Sequence, residues 1–122
     1  VVISPVVPMQ FGKVVSYNPP EAGSSAVEIQ NTLPDTVKVV SAYHNIPAKG
    51  LANFEKPLDY DVVICGDDDD AKALVVKLTE EMPNLKAIDA GSLEVSSMIE
   101  AITPLIINMN KKHKHEFSIK FI

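Results

Sequence analysis

The chain has 122 residues, 46% hydrophobic and 22% charged; eleven lysines and no arginine oppose sixteen acidic residues, for a net charge of −5. A domain of this size buries roughly two-thirds of its unfolded surface, so a packed core is expected and disorder is excluded as the default. The acidic balance and missing guanidinium groups argue against nucleic-acid binding, and no apolar run approaches the ~20 residues of a membrane span.

The single cysteine, Cys65, has no partner for an internal disulfide, which points to a reducing cytoplasm. The chain opens on Val1, already inside a strand-like run and without a charged leader. No signal peptide is expected, and a piece of a longer protein is; natural processing or proteolysis is the competing explanation.

Val1–Ile3 reads as a strand ended by Pro5 and Pro8, with Ser4–Pro8 as extended loop. Ser25, with Glu28 three residues on, fits a capping box for a helix over Ala26–Leu33, which Pro34 stops. Val37–Tyr43 is rich in β-branched residues and reads as a strand, followed by loop over Ala48–Leu58. Tyr60–Cys65 is a second, buried strand. Gly66 turns the chain and Asp67–Asp70 lead into a helix whose apolar stripe is Ala71, Leu74, Val75, Leu78 and Met82. Lys86–Asp89 reads as a short strand. The longest helix is expected over Leu93–Asn110, with Val95, Met98, Ile99, Ile102, Leu105, Ile106 and Met109 on one side. Pro104 within it cannot donate to the Glu100 carbonyl and should kink it. Phe117, Ile119 and Phe121 alternate with polar residues as a half-buried strand. The alternation of strands and helices gives an α/β fold with an α+β tendency, a small sheet with packed helices and no internal linker.

Five glycines, at 12, 23, 50, 66 and 91, form neither a dinucleotide fingerprint nor a Walker loop, so neither standard phosphate cradle is present. The Asp67–Asp70 run reads as helix-start chemistry rather than a cation site, because adjacent side chains diverge while carboxylates suit a helix N-terminus. His113 and His115, among three lysines, lack a matching ligand pattern for a metal. A basic helix end or contact with an anionic ligand tail are the alternatives. Cys65 follows Val62-Val63-Ile64 and reads as packing; no triad order is recognisable. His44-Asn45-Ile46-Pro47 sits at a strand end, where α/β folds often place functional groups, although on spacing alone a solvated strand end is the favoured reading. Thr103-Pro104 offers a freed carbonyl and a local polar site, or only a structural kink.

Six segments stand out together: Val1-Val2-Ile3-Ser4-Pro5-Val6-Val7-Pro8, Lys38 to Ala48, Asp61 to Asp69, Ile88-Asp89-Ala90-Gly91, Ile102-Thr103-Pro104-Leu105-Ile106 and Ile119-Lys120-Phe121. As a set they resemble the C-terminal part of the NADPH-dependent reductases of the deazaflavin coenzyme F420. The series spans nearly the whole chain in the family's order. The resemblance implies a Rossmann-associated C-terminal domain: residues 1–8 as the end of the last Rossmann strand and the inter-domain loop, residues 9–122 as the deazaflavin-site domain. It also implies that NADP is bound mainly upstream, which would explain the missing glycine fingerprint and the missing arginine. The implied reaction is hydride transfer between NADPH and the deazaflavin, carried by orientation and exclusion of water rather than by a catalytic side chain. No metal and no catalytic residue are expected.

By that resemblance His44 matches a histidine near the deazaflavin, Ile46 an aliphatic side chain against its ring, and Thr103 a hydroxyl for its polar atoms. Phe117 falls where the family has a leucine. Ser4, Pro5 and Val7 line the inter-domain loop. Two departures stand out: Ala101 replaces an expected serine, and Lys111–Glu116 replaces a glycine-rich turn. The departures leave open another redox substrate, such as a flavin or ferric iron. The apolar stripe of the long helix leaves open a non-catalytic dimerisation module, and a homodimer is expected. The isolated chain is expected to be inactive.

Overall fold

The computed structural model describes residues 1–52 and 59–122. Four strands form one mixed sheet: β1 (Val2–Ser4), β4 (Val39–Ser41), β5 (Tyr60–Gly66) and β6 (Leu85–Gly91), in that spatial order. β1 runs parallel to β4 (Val2↔Val39 to Ser4↔Ser41), β4 antiparallel to β5 (Ser41↔Cys65), and β5 parallel to β6. The last pair needs a crossover, which α3 (Asp69–Glu80) supplies.

Alternation along β5 assigns its two faces. Val62 and Ile64 join Val40, Ala42, Ile46, Ala71, Val75 and Leu85 on the α3 side. Val63 and Cys65 join Ile99 on the side of α4 (Ser96–His113). A third cluster, Ala26, Val39 and Leu93, seats α1 (Ser25–Thr32). A strand covered on both faces needs a continuous apolar run rather than alternation, which is why Val62-Val63-Ile64-Cys65 stands out in the sequence. Each such side chain contributes about 1.5–3 kcal/mol on burial. No helix among the described residues is long and apolar enough to cross a membrane.

Several expected elements are shifted. The cap of α1 is Ser24, not Ser25: its Oγ accepts from Val27 N at 3.1 Å. Glu28 does not close the capping box. The carboxylate at this helix start is Glu100, which accepts from Ser25 N at 3.1 Å and Ala26 N at 3.2 Å. On α3 the buried positions are Ala71, Val75 and Thr79, while Leu74 and Leu78 are exposed. Thr79 is tolerated inside because its hydroxyl donates to Val75 O at 2.8 Å and receives the Tyr43 hydroxyl at 2.7 Å. The Leu93–Asn110 helix is a 3-10 turn (Leu93–Val95) followed by α4, which continues through the buried Pro104 and closes at Lys114 in the left-handed region (φ 51°). On α4, Met98 and Leu105 leave the expected buried stripe and face outward.

A helix, α2 (Ala48–Ala52), opens the segment expected to be loop, whose remainder, 53–58, lies outside the described residues. The segment from Phe117 to Phe121 is not a strand. It runs extended beside the start of β5, where Ile119 O accepts from Asp61 N at 3.2 Å. Ile119 packs on the Val63 cluster, whereas Phe121 is half exposed.

The sequence reading also missed a hairpin, β2 (Met9–Gln10) with β3 (Ser16–Tyr17). Two-residue strands carry too little periodicity to be seen. Asn108 on α4 holds the hairpin by imitating a strand: its Oδ1 accepts from Val15 N at 2.8 Å and its Nδ2 donates to Val15 O at 2.7 Å. Asn108→Ala leaves both groups of a buried backbone unit unpaired and should cost about 2 kcal/mol. Urea unfolding measures it, and a loss below about 0.5 kcal/mol would contradict this account.

Candidate functional site

A cleft of about 610 Å³ opens between the loop that follows β4, the start of α2, one face of α4, and the turn after α4. Four expected residues, His44, Ile46, Thr103 and Phe117, line it together. They come from three separate stretches of sequence, and the fold is what assembles them. Ser4, Pro5 and Val7 do not line it. Ser4 is buried at the end of β1, tied to the loop through its carbonyl, which accepts from Ala42 N at 3.1 Å. Pro5 is exposed and Val7 half-buried.

Tyr43 begins the loop in the left-handed region (φ 68°), which sharply redirects the chain after β4. His44 is then only 6% exposed, and neither ring nitrogen has a hydrogen-bond partner among the described residues. Burial lowers its pKa to about 4, so the imidazole is neutral at pH 7. Its carbonyl accepts from the Thr103 hydroxyl at 2.9 Å. That bond ties the loop to α4 and commits the threonine's only hydroxyl hydrogen. Toward anything in the cleft, Thr103 therefore offers lone pairs, not a donor.

The far wall depends on Asn110, whose Oδ1 accepts from Phe117 N at 2.8 Å. His113 and His115 meet the Phe117 ring edge-on, with centroids 5.8 and 4.9 Å away. These histidines thus support an aromatic wall. The Ile106, Ile107 and Asn110 lining was missed in the sequence, although one signal was there: Thr103, Ile106, Ile107 and Asn110 recur at helical spacing on a single face. Lys49 and Lys114, both exposed, stand at the rim.

The other candidates have local tasks. Asp68 caps α3, accepting from Ala71 N at 2.9 Å, and Asp67 accepts from Leu93 N at 2.9 Å. Asp69 and Asp70 occupy the first turn of α3. Cys65 is buried, and burial raises its thiol pKa, which disfavours the reactive thiolate.

An apolar cleft with a few convergent polar groups, next to a strand end of an α/β sheet, is the kind of place where such folds bind small molecules. No protein-family profile matches the chain. It is 45% identical over 95 residues to the F420-dependent NADP reductase of Methanocaldococcus jannaschii, a match spanning 78% of this chain and 42% of that protein. The F420-dependent NADP reductase of Methanothermobacter marburgensis is 38% identical over 104 residues, spanning 84% of this chain and 46% of that protein. A crystal structure of a candidate F420-dependent NADP reductase from Arthrobacter sp. FB24 superposes with a TM-score of 0.81 at 25% identity, covering 98% of this chain and 57% of that one. The chain is a partial, C-terminal-like homologue of the F420-dependent NADP reductases, spanning less than half the length of the curated relatives it matches.

Proposed function

We propose that this chain is the coenzyme-binding C-terminal half of a cytoplasmic oxidoreductase that moves hydride between NADPH and the deazaflavin coenzyme F420. The observation that carries the reading is the convergence of His44, Ile46, Thr103 and Phe117 on one cleft. The residues present fit a planar heterocycle. Ile46, Ile106, Ile107 and Phe117 supply apolar walls. His44 lines the cleft as a neutral imidazole whose two nitrogens are buried in its wall. When bound, the deazaflavin supplies the hydride-accepting carbon. The chain's part is to hold the ring flat, face it toward the nicotinamide and keep water away. The rim lysines suit an anionic appendage on the ligand.

In this reading NADP is held mainly by an upstream Rossmann domain, of which residues 1–8 are the end. β1 is an edge strand of the sheet paired with β4, so the two parts would share one continuous sheet. Ser4, Pro5 and Val7 would then act at the junction. The exposed Met98 and Leu105 on α4 favour a homodimer built on that helix face, which sedimentation across concentrations tests. The Lys111–Glu116 segment, which shapes the Phe117 wall in place of a glycine-rich turn, favours a second reading in which a flavin or ferric iron is reduced instead.

The test is to supply the full-length protein with NADPH and oxidised deazaflavin and follow loss of coenzyme absorbance. Turnover is expected with the full-length protein and none with the 122-residue chain. Reduction of flavin or ferric iron without deazaflavin reduction would reject the first reading in favour of the second. Thr103→Val should weaken deazaflavin binding about tenfold, the scale of a lost hydrogen bond, while leaving NADPH affinity unchanged. Fluorescence titration of each coenzyme separates the two effects.

A further inference from the structure

We infer that Asp61 is a positioning residue that holds the two walls of the cleft in register. This rests on the coenzyme-binding reading above. Asp61 is the second residue of β5 and is 3% exposed, yet it does not line the cleft. Its three polar groups all reach toward segments that do, or that lead to them. Its carbonyl accepts from Asn45 Nδ2 at 3.1 Å, fixing the loop that carries His44 and Ile46. Its backbone N–H donates to Ile119 O at 3.2 Å, and its Oδ2 accepts from Phe121 N. Those bonds fix the segment that follows Phe117. One residue on the rigid central strand therefore clasps the loop on one side and the C-terminal segment on the other.

The chemistry explains why an aspartate stands there. The C-terminal segment reaches β5 beyond the end of β4, where none of the described strands pairs it. A carboxylate takes the place of the missing carbonyl acceptor, and as a charged acceptor it binds the Phe121 amide more strongly than a neutral group would. A second, exposed contact, Lys120 Nζ to Asp59 Oδ1 at 2.8 Å, lies beside it but is worth little in water. Asp61 is consequently the main side-chain anchor of this segment among the described residues. Phe117 itself hangs between that anchor and Asn110.

Three variants of the full-length protein test this. Asp61→Ala removes the carboxylate. Asp61→Asn keeps an oxygen of the same reach without its charge. Phe121→Pro removes the donor on the other side at a half-exposed position, where folding is not at stake. Deazaflavin affinity should fall about tenfold in Asp61→Ala and in Phe121→Pro, and about threefold in Asp61→Asn, with NADPH affinity unchanged. The double variant should be no worse than either strong single variant, because both remove one bond. Amide exchange read without ligand should show Phe117 losing protection in Asp61→Ala and Phe121→Pro.

Unchanged Phe117 protection in Phe121→Pro would overturn the proposal, even if Asp61→Ala fails to fold. Additive losses in the double variant would overturn it as well. If the wild-type protein binds no deazaflavin, the functional reading fails, and the exchange experiment alone judges the role of Asp61.

Discussion

Acidification from pH 7 to pH 4 should remove about 3 kcal/mol of folding stability through His44 alone. The imidazole is buried in the cleft wall with neither nitrogen partnered among the described residues, and burial lowers its pKa from 6.5 to about 4. In the unfolded chain it titrates near 6.5, so between these values only the unfolded state takes up the proton. Stability from this group is complete above pH 6.5, falls as pH drops through the window, and reaches its full loss below about pH 4. Other groups titrate in the same range, so the measurement is a difference. Urea unfolding should show the wild-type protein losing about 3 kcal/mol more than His44→Gln as pH falls from 7 to 4. Parallel profiles would show that His44 is not held neutral.

Glu100→Ala should cost about 3–5 kcal/mol, the largest expected effect of a single substitution in this chain. Glu100 is fully buried on α4, and burial raises its pKa. Its carboxylate accepts from the Tyr17 hydroxyl at 3.0 Å and from the amides of Ser25 and Ala26. It therefore joins the hairpin, the start of α1 and α4 at one point. Burial, followed by the adjacent Glu100, pushes the Tyr17 hydroxyl pKa up, so it remains a donor at any working pH. Removing the carboxylate strands the amides of Ser25 and Ala26, leaves the Tyr17 hydroxyl only the Gly23 carbonyl at 3.1 Å, and opens a cavity. Glu100→Gln keeps one acceptor oxygen and turns an amide NH2 toward a donor, so it should lose about 2 kcal/mol. Urea midpoints for the two variants should fall in that order. An alanine variant as stable as the wild type would mean that water serves these donors as well as Glu100 does.

Glu100 also shows where a reading of neighbours in sequence stops. A carboxylate near the start of α1 was legible as a need, and Glu28 was the local residue that fitted it. The structure meets the need with a side chain 75 positions away in sequence. Leu74 and Leu78 teach a related lesson. Helical spacing marks a stripe, but Ala71, Val75 and Thr79 decide which edge of it is buried, and Thr79 qualifies only because Tyr43 and Val75 satisfy its hydroxyl. The hairpin and the Phe117–Phe121 segment were misread for another reason. One is too short to show a period, and the other has the alternation of a strand but bonds to Asp61 rather than to a ladder.

Local composition was enough to determine what depends on near neighbours. The apolar run of β5, the aspartate start of α3, the proline inside α4 and the position of the His44 loop at a strand end all follow from contiguous residues and their backbone preferences. The family resemblance was equally legible, because it is carried by short segments in order. What only the tertiary structure decided is everything that depends on residues meeting across the sheet. It put His44, Thr103 and Phe117 around one cleft and left Ser4, Pro5 and Val7 outside it. It also made Glu100 a cap and Asp61 a clasp. Hydrogen bonds and burial act over a few ångströms of space, so pairings between distant positions are set by the packed sheet and helices and leave no periodic trace along the chain.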